Sequence, residues 1–429
     1  MKTQTAGTIT PIPAPNQEDE RAWLGPGLIT GASDDDPSGI GTYSQAGAQF
    51  GTGMLWVMLF TYPLMAVVQI ISARIGRVTG RGLASNLSKV LPRPVLIVLM
   101  LLLFVANTVN IGADLAAMGE AAALLVPVNS TWTAALFGIV SIVLQVLIPY
   151  HRYVRILQWL TLSLLAYVGV VFAIHLPWGQ VLHDTFVPHL EGGKAFWAML
   201  VAVLGTTVSP YLFFWQSSQE VEEQRASQDE HPIRNAPEEA GRQLHRISVD
   251  TLTGMGLSNL VGFFIILTAA FTLHTHGIHN IPSAAQAAEA LRPVAGPFAF
   301  ALFTLGIVGT GLLAVPVLAG SAAYAAAECF AWRRGLEKTP AAAPRFYAVL
   351  SAAALVGVLL TTLHLNPMRA LVWAAVLNGV VAVPVLVAMM LVASRSDVMG
   401  DFCIGRGLRW GGWATSAVMA VAAVLLFVP

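Results

Sequence analysis

Three consecutive aspartates, Asp34, Asp35 and Asp36, are the residues of this chain best suited to bind a cation. Pro37 follows them, and small residues, Gly39 among them, come next. Because proline lacks an N–H and glycine is flexible, a helix should break here and leave backbone carbonyls free. Carboxylates and free carbonyls are hard oxygen ligands. The segment therefore predicts a cation site, with Asp36 as principal ligand and Asp34 and Asp35 as direct or water-mediated ligands.

The rest of the chain places this site in a membrane. Of 429 residues, 56% are hydrophobic and 11% are charged, against about 25% charged in soluble domains. This composition argues against a disordered chain and against a soluble enzyme. The net charge of zero gives no bulk attraction to nucleic acid, and two cysteines cannot form a disulfide framework.

Eleven apolar stretches predict an all-α polytopic membrane protein. They lie near Leu24–Phe50, Gly53–Ser72, Val95–Leu124, Trp132–Ile148, Ile156–Leu176, Ala195–Ser217, Leu252–Leu273, Ala299–Cys329, Tyr347–Leu363, Ala370–Val392 and Trp410–Val428. We expect one transmembrane domain over 24–429. Residues 1–23 are polar and rich in proline and acid, so we expect a disordered cytoplasmic tail and no signal peptide.

The basic residues predict the orientation. If the N-terminus is cytoplasmic, all but three of the 23 lysines and arginines fall in cytoplasmic segments, the exceptions being Lys194, Arg292 and Arg369. Cytoplasmic loops are enriched in these residues. We therefore expect a multi-pass protein of the cell membrane with its N-terminus inside and its C-terminus outside.

A second helix break is predicted at Ser209-Pro210, in the middle of the sixth stretch. Alone, it is equally well explained as an ordinary proline kink. The first and sixth stretches, however, are corresponding members of two five-helix halves, and paired interruptions point to a transporter site. An odd number of spans between them makes the halves inverted repeats, 24–176 and 195–392, with an extra helix at 408–429. The alternative that Gly25–Asp36 is only a loop leaves Pro37–Phe50, too short to cross.

The chain resembles the Nramp family of divalent-metal transporters. Gly25–Gly27 with Asp36-Pro37 matches the family's GPG…DPGN segment, Leu204–Tyr211 matches its LGATVMPH, and Asp114–Ala116 matches its TDLAE. Gln45–Ala48 also matches. The resemblance covers most of the chain and implies a LeuT-like 5+5 inverted-repeat fold with broken helices 1 and 6.

Several family positions differ in this sequence. The family's asparagine is Gly39, and the alanine that lends a carbonyl is Thr206. The metal-ligating methionine is Ser209, the histidine is Tyr211, and a glutamine of helix ten corresponds to Asn378. This pattern is similar to the Nramp-related magnesium-transporter branch.

The resemblance therefore implies oxygen ligands from Thr206, Ser209 and Asn378, with Gly39 leaving room for water. A helix–helix hydrogen bond explains Asn378 equally well. Asp114 and Tyr211 are expected along the transport pathway. The thioether of methionine favours soft metal ions, whereas Mg²⁺ prefers oxygen ligands and keeps several of its bound water molecules. We expect Mg²⁺ as the transported ion, with Mn²⁺ as an alternative, and no cofactor. A monomer is favoured.

Weak or absent proton coupling is also expected. Tyr211 replaces a histidine, and a phenol titrates far above pH 7. Two acids of the family's third helix have become Asn107 and Ala117. The alternatives are a proton-coupled Mn²⁺ or Fe²⁺ importer and a cation-coupled solute symporter, although three aspartates would repel a solute carboxylate. An intramembrane protease with an Asp36–Asp114 dyad lacks a partner motif, and a scaffold that transports nothing stays open.

Overall fold

The computed structural model describes residues 25–148, 157, 159–226, 230–363 and 365–427, and every regular element in these ranges is helical. The expected tail, 1–23, lies outside the described residues. In chain order the helices are α1 Pro26–Asp34, α2 Pro37–Phe50, α3 Leu55–Thr79, α4 Leu83–Leu87, α5 Arg93–Ala123, α6 Ser130–Leu147, α7 Leu165–Ala173, α8 Trp178–Phe186, α9 Gly193–Thr207, α10 Pro210–Ala226, α11 Ala240–Thr272, α12 Ala284–Glu289, α13 Arg292–Ala295, α14 Ala299–Cys329, α15 Pro344–Thr361, α16 Pro367–Ala393, α17 Ser396–Met399 and α18 Arg406–Leu425.

Within the described ranges, nine helical runs are long and apolar enough to cross a membrane. One of them, Pro37–Thr79, joins α2 to α3 through a short 3₁₀ turn at Gly51–Met54. The fifth predicted stretch contains a shorter apolar helix, Trp159–Ala173. The polytopic helical class is confirmed, whereas the count of eleven crossings stays a prediction.

Both predicted helix breaks are present, and they have the expected cause. α1 ends at Asp34 and α2 begins at Pro37, with Asp36 as its N-cap. α9 ends at Thr207 and α10 begins at Pro210. Proline suits the first turn of a helix, where its missing N–H is not needed, although Pro63, Pro316 and Pro384 lie inside long helices of this chain. Pro37 and Pro210 each start a new helix where the previous one has stopped.

Glycines bring α1 into backbone contact with α11. A Cβ on Gly31 would collide with the carbonyl of Gly254, and a Cβ on Gly254 would collide with the carbonyl of Gly27. Small residues four apart allow such close approach in membranes. Next to this contact, Asp250 of α11 accepts hydrogen bonds from the backbone N–H of Gly27 at 2.7 Å and of Leu28 at 3.2 Å. Asp250 thereby caps the first turn of α1.

A buried ionic network lies at one end of the bundle. We call this end of the bundle the basic face, because Arg77 and Arg246 lie there. Arg77, at the end of α3, is fully buried and pairs with Glu230, Glu223 and Glu220. Arg246 of α11 pairs with Glu223 at 2.8 Å and Glu220 at 2.9 Å. Removing one partner of a buried pair costs about 3–5 kcal/mol. The network therefore ties α3, α10 and α11 together at this end.

Candidate metal centre

The Asp36 carboxylate is held from two directions at the first helix break. Its side chain is 1% exposed. Oδ1 accepts a hydrogen bond from the backbone N–H of Gly39 at 2.6 Å. Oδ2 accepts one from the Nδ2 of Asn110, on α5, at 3.0 Å. The N-cap bond fixes the carboxylate at the start of α2, where the positive end of the helix dipole favours negative charge.

Asn110 connects this carboxylate to two other helices. Its Nδ2 also donates to Oδ2 of Asp114 at 3.1 Å, and its Oδ1 accepts from the Nδ2 of Asn378, on α16, at 3.2 Å. Asn110 therefore uses both amide hydrogens and its oxygen. Within the described residues, Oδ1 of Asp114 and Oδ1 of Asn378 are buried without a hydrogen-bond partner. These two oxygens are free to accept from water or to coordinate a cation.

Asp34 and Asp35 face a different partner, Ser258 of α11. The Ser258 hydroxyl oxygen lies 2.8 Å from Oδ2 of Asp34 and 2.9 Å from Oδ1 of Asp35. A hydroxyl has one hydrogen to donate, so it can satisfy only one of these carboxylates at a time. Oδ1 of Asp34 is buried and has no partner among the described residues. The carboxylate oxygens of Asp34 and Asp35 can therefore accept more hydrogen bonds than the described residues donate to them.

The second break lies beside the first. A Cβ on Gly39 would lie 3.2 Å from Oγ1 of Thr206, so the absence of a side chain there keeps Thr206 close to α2. The Tyr211 hydroxyl lies 3.5 Å from the carbonyl oxygen of Ser33 in α1. Thr206 and Tyr211 are 2% and 1% exposed. Residues at the start of α10 and the end of α9 thus approach both halves of the first broken helix.

Ser209 is turned toward its own backbone. Its hydroxyl lies 2.8 Å from the carbonyl oxygen of Gly205 and 2.9 Å from that of Thr206, and it donates to these acceptors. The one hydroxyl hydrogen of Ser209 is therefore shared between the Gly205 and Thr206 carbonyls. The lone pairs of the serine oxygen are left for another partner.

The predicted carboxylate and amide ligands form two groups rather than one ring of carboxylates. Asp36, Asp114 and Asn378 meet through Asn110, whereas Asp34 and Asp35 meet at Ser258. Among the residues that the structure describes, no three His, Cys, Asp or Glu side chains are grouped to hold a metal ion.

Two members of these groups, Asn110 and Ser258, were not predicted from the sequence. Asn110 lies four residues before Asp114, so both occupy one face of α5. That spacing is a signal that could have found it. Ser258 carries no comparable signal, because its position depends on the contact between α1 and α11.

A family model described as natural resistance-associated macrophage protein-like matches residues 27–429. The chain belongs to the Nramp family. It is 27% identical over 408 residues to the divalent metal cation transporter MntH of Deinococcus radiodurans. The aligned region covers 92% of this chain and 87% of that protein. It is 26% identical over 411 residues to MntH of Klebsiella pneumoniae strain 342, and this alignment covers 93% of this chain and 92% of that protein. Membership confirms the expectation of a transporter rather than an enzyme.

Solved structures share the fold of this Nramp chain. A manganese transporter of Eremococcus coleocola superposes with a TM-score of 0.75 at 14% identity, covering 96% of this chain and 88% of that one. Mhp1, a nucleobase-cation-symport-1 family transporter, superposes with a TM-score of 0.54 at 14% identity, and the superposition covers 94% of this chain and 90% of Mhp1. The LeuT-like fold is thereby confirmed, whereas the inverted repeat and the crossing count stay predictions.

Proposed function

We propose that this Nramp chain carries divalent cations across the cell membrane by alternating access, and that it prefers hard ions. Mg²⁺ is the first candidate and Mn²⁺ the second. The chemistry around the buried aspartates carries the proposal. Among the described residues, Asp34, Asp35 and Asp36 form hydrogen bonds with a hydroxyl, a side-chain amide and a backbone N–H. Ser209 offers oxygen where the family has a thioether, and oxygen favours hard ions.

The proposed ligands are those the sequence suggested. Asp36 is the principal carboxylate, and Asp34 and Asp35 act directly or through water. Thr206 and Ser209 supply oxygens, and Gly39 leaves space beside Thr206. For Asn378 the two interpretations are compatible, because its amide nitrogen bonds Asn110 while its oxygen has no partner among the described residues. Asp114 and Tyr211 belong to the pathway.

Transport requires this buried site to open to each side in turn. We propose that the basic face is cytoplasmic, as the distribution of lysine and arginine favours. Ion release to that side then requires α1 to leave α11, which breaks the cap that Asp250 forms on Gly27 and Leu28. The N-terminus lies inside and the C-terminus outside in this proposal.

The same proposal includes a repeat architecture of eleven crossings, with halves 24–176 and 195–392 and an extra helix at 408–429. The adjacency of the two breaks supports it. Gly39 next to Thr206 and Tyr211 next to Ser33 are contacts between matching members of the two halves. In such folds the substrate binds where discontinuous helices meet near the bilayer midplane.

Entry down the electrochemical gradient is the proposed driving force. A membrane potential supplies about 2.3 kcal/mol per charge per 100 mV, and twice that for a dication. The second candidate is a proton-coupled importer of Mn²⁺ or Fe²⁺. It is favoured by the names of the relatives, which are divalent metal cation transporters, and of one structural neighbour, a manganese transporter.

Flux into proteoliposomes tests the transport proposal. We expect uptake of Mg²⁺ and Mn²⁺ that exceeds uptake of Cd²⁺ and that is lost in Asp36→Asn. Asp34→Asn and Asp35→Asn should lose less. Asp401→Asn is the control, because Asp401 is exposed. Tight Cd²⁺ binding without Mg²⁺ uptake would contradict the selectivity, and normal uptake by Asp36→Asn would move the site elsewhere.

A pH-sensitive dye inside the same vesicles separates the two candidates. We expect no lumenal acidification linked to Mg²⁺ or Mn²⁺ entry when the voltage is clamped. Acidification that requires the metal and persists under the clamp would establish the proton-coupled importer instead.

A further inference from the structure

A cleft of about 480 Å³ opens at the basic face, between the C-terminal end of α16 and the first turns of α18. Its volume is in the range of small-ligand sites. It is lined by Val90, Met390, Leu391, Ser394, Arg395, Arg409 and Trp413. None of these residues takes part in the candidate metal centre.

The polar part of the cleft is basic. Among the described residues no carboxylate pairs with Arg409, whereas Arg395 holds Asp397 at 2.9 and 3.0 Å. Lys89, beside Val90, has its pKa lowered by partial burial and by repulsion from Arg81 and Arg234, against the opposing effect of Asp397. Positive charge is therefore in excess around the cleft, and an anion would be attracted to it.

The Ser394 side chain provides a polar group inside this basic region. Its hydroxyl oxygen is buried and has no hydrogen-bond partner among the described residues. A buried hydroxyl without a partner costs free energy, and the cost is recovered when an acceptor arrives. Arg409 and Arg395 line the same cleft, and guanidinium groups are suited to phosphate; two of the three Arg395 nitrogens are held by Asp397.

The apolar part of the cleft belongs to helices that face lipid. Met390 and Leu391 lie in the last turns of α16, and Leu391 is 41% exposed. Trp413 of α18 is 38% exposed and Trp410 is 77% exposed. Tryptophan is enriched where the hydrocarbon core meets the headgroups. The cleft therefore lies at headgroup depth, with apolar walls that continue toward the acyl chains.

We propose that this cleft binds an anionic phospholipid of the adjacent leaflet. The phosphate lies between Arg395 and Arg409 and accepts the Ser394 hydroxyl hydrogen, while an acyl chain follows Leu391 and Trp413. Basic pockets between transmembrane helices recognise anionic headgroups in this way. The occupant is an anion from the membrane, so the site is separate from the cation pathway.

Lipid binding by the purified full-length chain in detergent tests the proposal. Native mass spectrometry compares phosphatidylglycerol, phosphatidylcholine and soluble glycerol 3-phosphate as probes. We expect phosphatidylglycerol to bind in preference to the other two. Each arginine near a membrane surface contributes roughly a fivefold change in affinity. Arg395→Gln with Arg409→Gln should thus weaken phosphatidylglycerol binding about twenty-fivefold.

The matched control is Arg333→Gln, an exposed arginine that does not line the cleft. It should bind phosphatidylglycerol as the parent does. Arg409→Lys keeps the charge and should retain most of the binding. If the double variant fails to fold, Arg409→Gln alone gives an expected fivefold loss. Equal binding of phosphatidylcholine, unchanged binding in the glutamine variants, or equally tight binding of glycerol 3-phosphate would each overturn the proposal.

Discussion

Asn110 joins the first helix break to α5, since its side-chain amide donates to the Asp36 carboxylate at 3.0 Å. The same amide nitrogen donates to Asp114 one turn along α5. A neutral amide thus holds two buried carboxylates together without neutralising either of them. Asn110 brings no positive charge of its own, and it holds the Asp36 carboxylate in place without a bound cation.

Asn110→Ala should lower divalent-cation uptake by at least about tenfold, because the outer partners of metal ligands contribute 10- to 100-fold to metal affinity. Uptake per folded molecule is the measurement. Asn107→Ala is the matched control on the same helix: Asn107 is also buried, but it donates to the Leu318 carbonyl and to Ser321. Each variant should lose about 1–3 kcal/mol of stability. Equal uptake by the two variants would contradict a role for Asn110 at the site.

Ser258→Ala should raise the Mg²⁺ concentration needed for half-maximal uptake by roughly tenfold. Asp34 and Asp35 lose the one hydroxyl that orients them, and their charges are then less well placed toward the ion. Concentration dependence of initial uptake rates measures the effect. Ser248→Ala is the control on the same helix, because the Ser248 hydroxyl only bonds the Leu244 carbonyl. A change of the same size in both variants would assign the loss to α11 stability.

Ser209→Met should shift preference from Mg²⁺ toward Cd²⁺, since a thioether binds soft metals. The shift in the ratio of Cd²⁺ to Mg²⁺ affinity should be on the order of tenfold or more, corresponding to about 1.4 kcal/mol. Competition binding measures it. Ser209→Ala separates gain of sulfur from loss of the hydroxyl and should keep the preference for Mg²⁺. A shift of equal size in the alanine variant would show that sulfur is not its cause.

Asp250→Ala should loosen the first turn of α1. The variant leaves the N–H groups of Gly27 and Leu28 without their acceptor, which costs about 0.5–2 kcal/mol for an N-cap. Deuterium exchange of peptides within 25–35 should therefore accelerate about two- to thirtyfold. Asp401→Ala, at an exposed aspartate of the basic face, should leave it unchanged. Unaltered exchange in Asp250→Ala would mean that other contacts hold α1.

The helix breaks were predictable because their cause is local. A missing N–H is not enough by itself, because Pro63, Pro316 and Pro384 lie inside continuous helices. Pro37 and Pro210 each follow a polar residue and begin a new helix. The N-cap role of Asp36 also follows from its position before proline. These features depend on a few neighbouring residues, and the sequence contains all of them.

The division of the aspartates between two partners was not predictable in the same way. Asp34 and Asp35 meet Ser258 because α1 lies against α11, more than 200 residues further along the chain. A lone serine in an apolar helix gives no indication of which helix it will face. Asn110 is an intermediate case, because its spacing from Asp114 is local whereas its bond to Asp36 is long-range.

The contact of Gly31 with Gly254 has a consequence for the kinetics of opening. Backbone atoms touch there without side chains between them. Dispersion attraction falls steeply once the surfaces separate by about 0.5–1 Å. Because no side chain lies between the helices at this point, none can maintain the contact as α1 moves away. Docked and undocked α1 should then be discrete states separated by a barrier. Single-molecule fluorescence across α1 and α11 should show two dwell levels with abrupt jumps, rather than a continuous drift in distance.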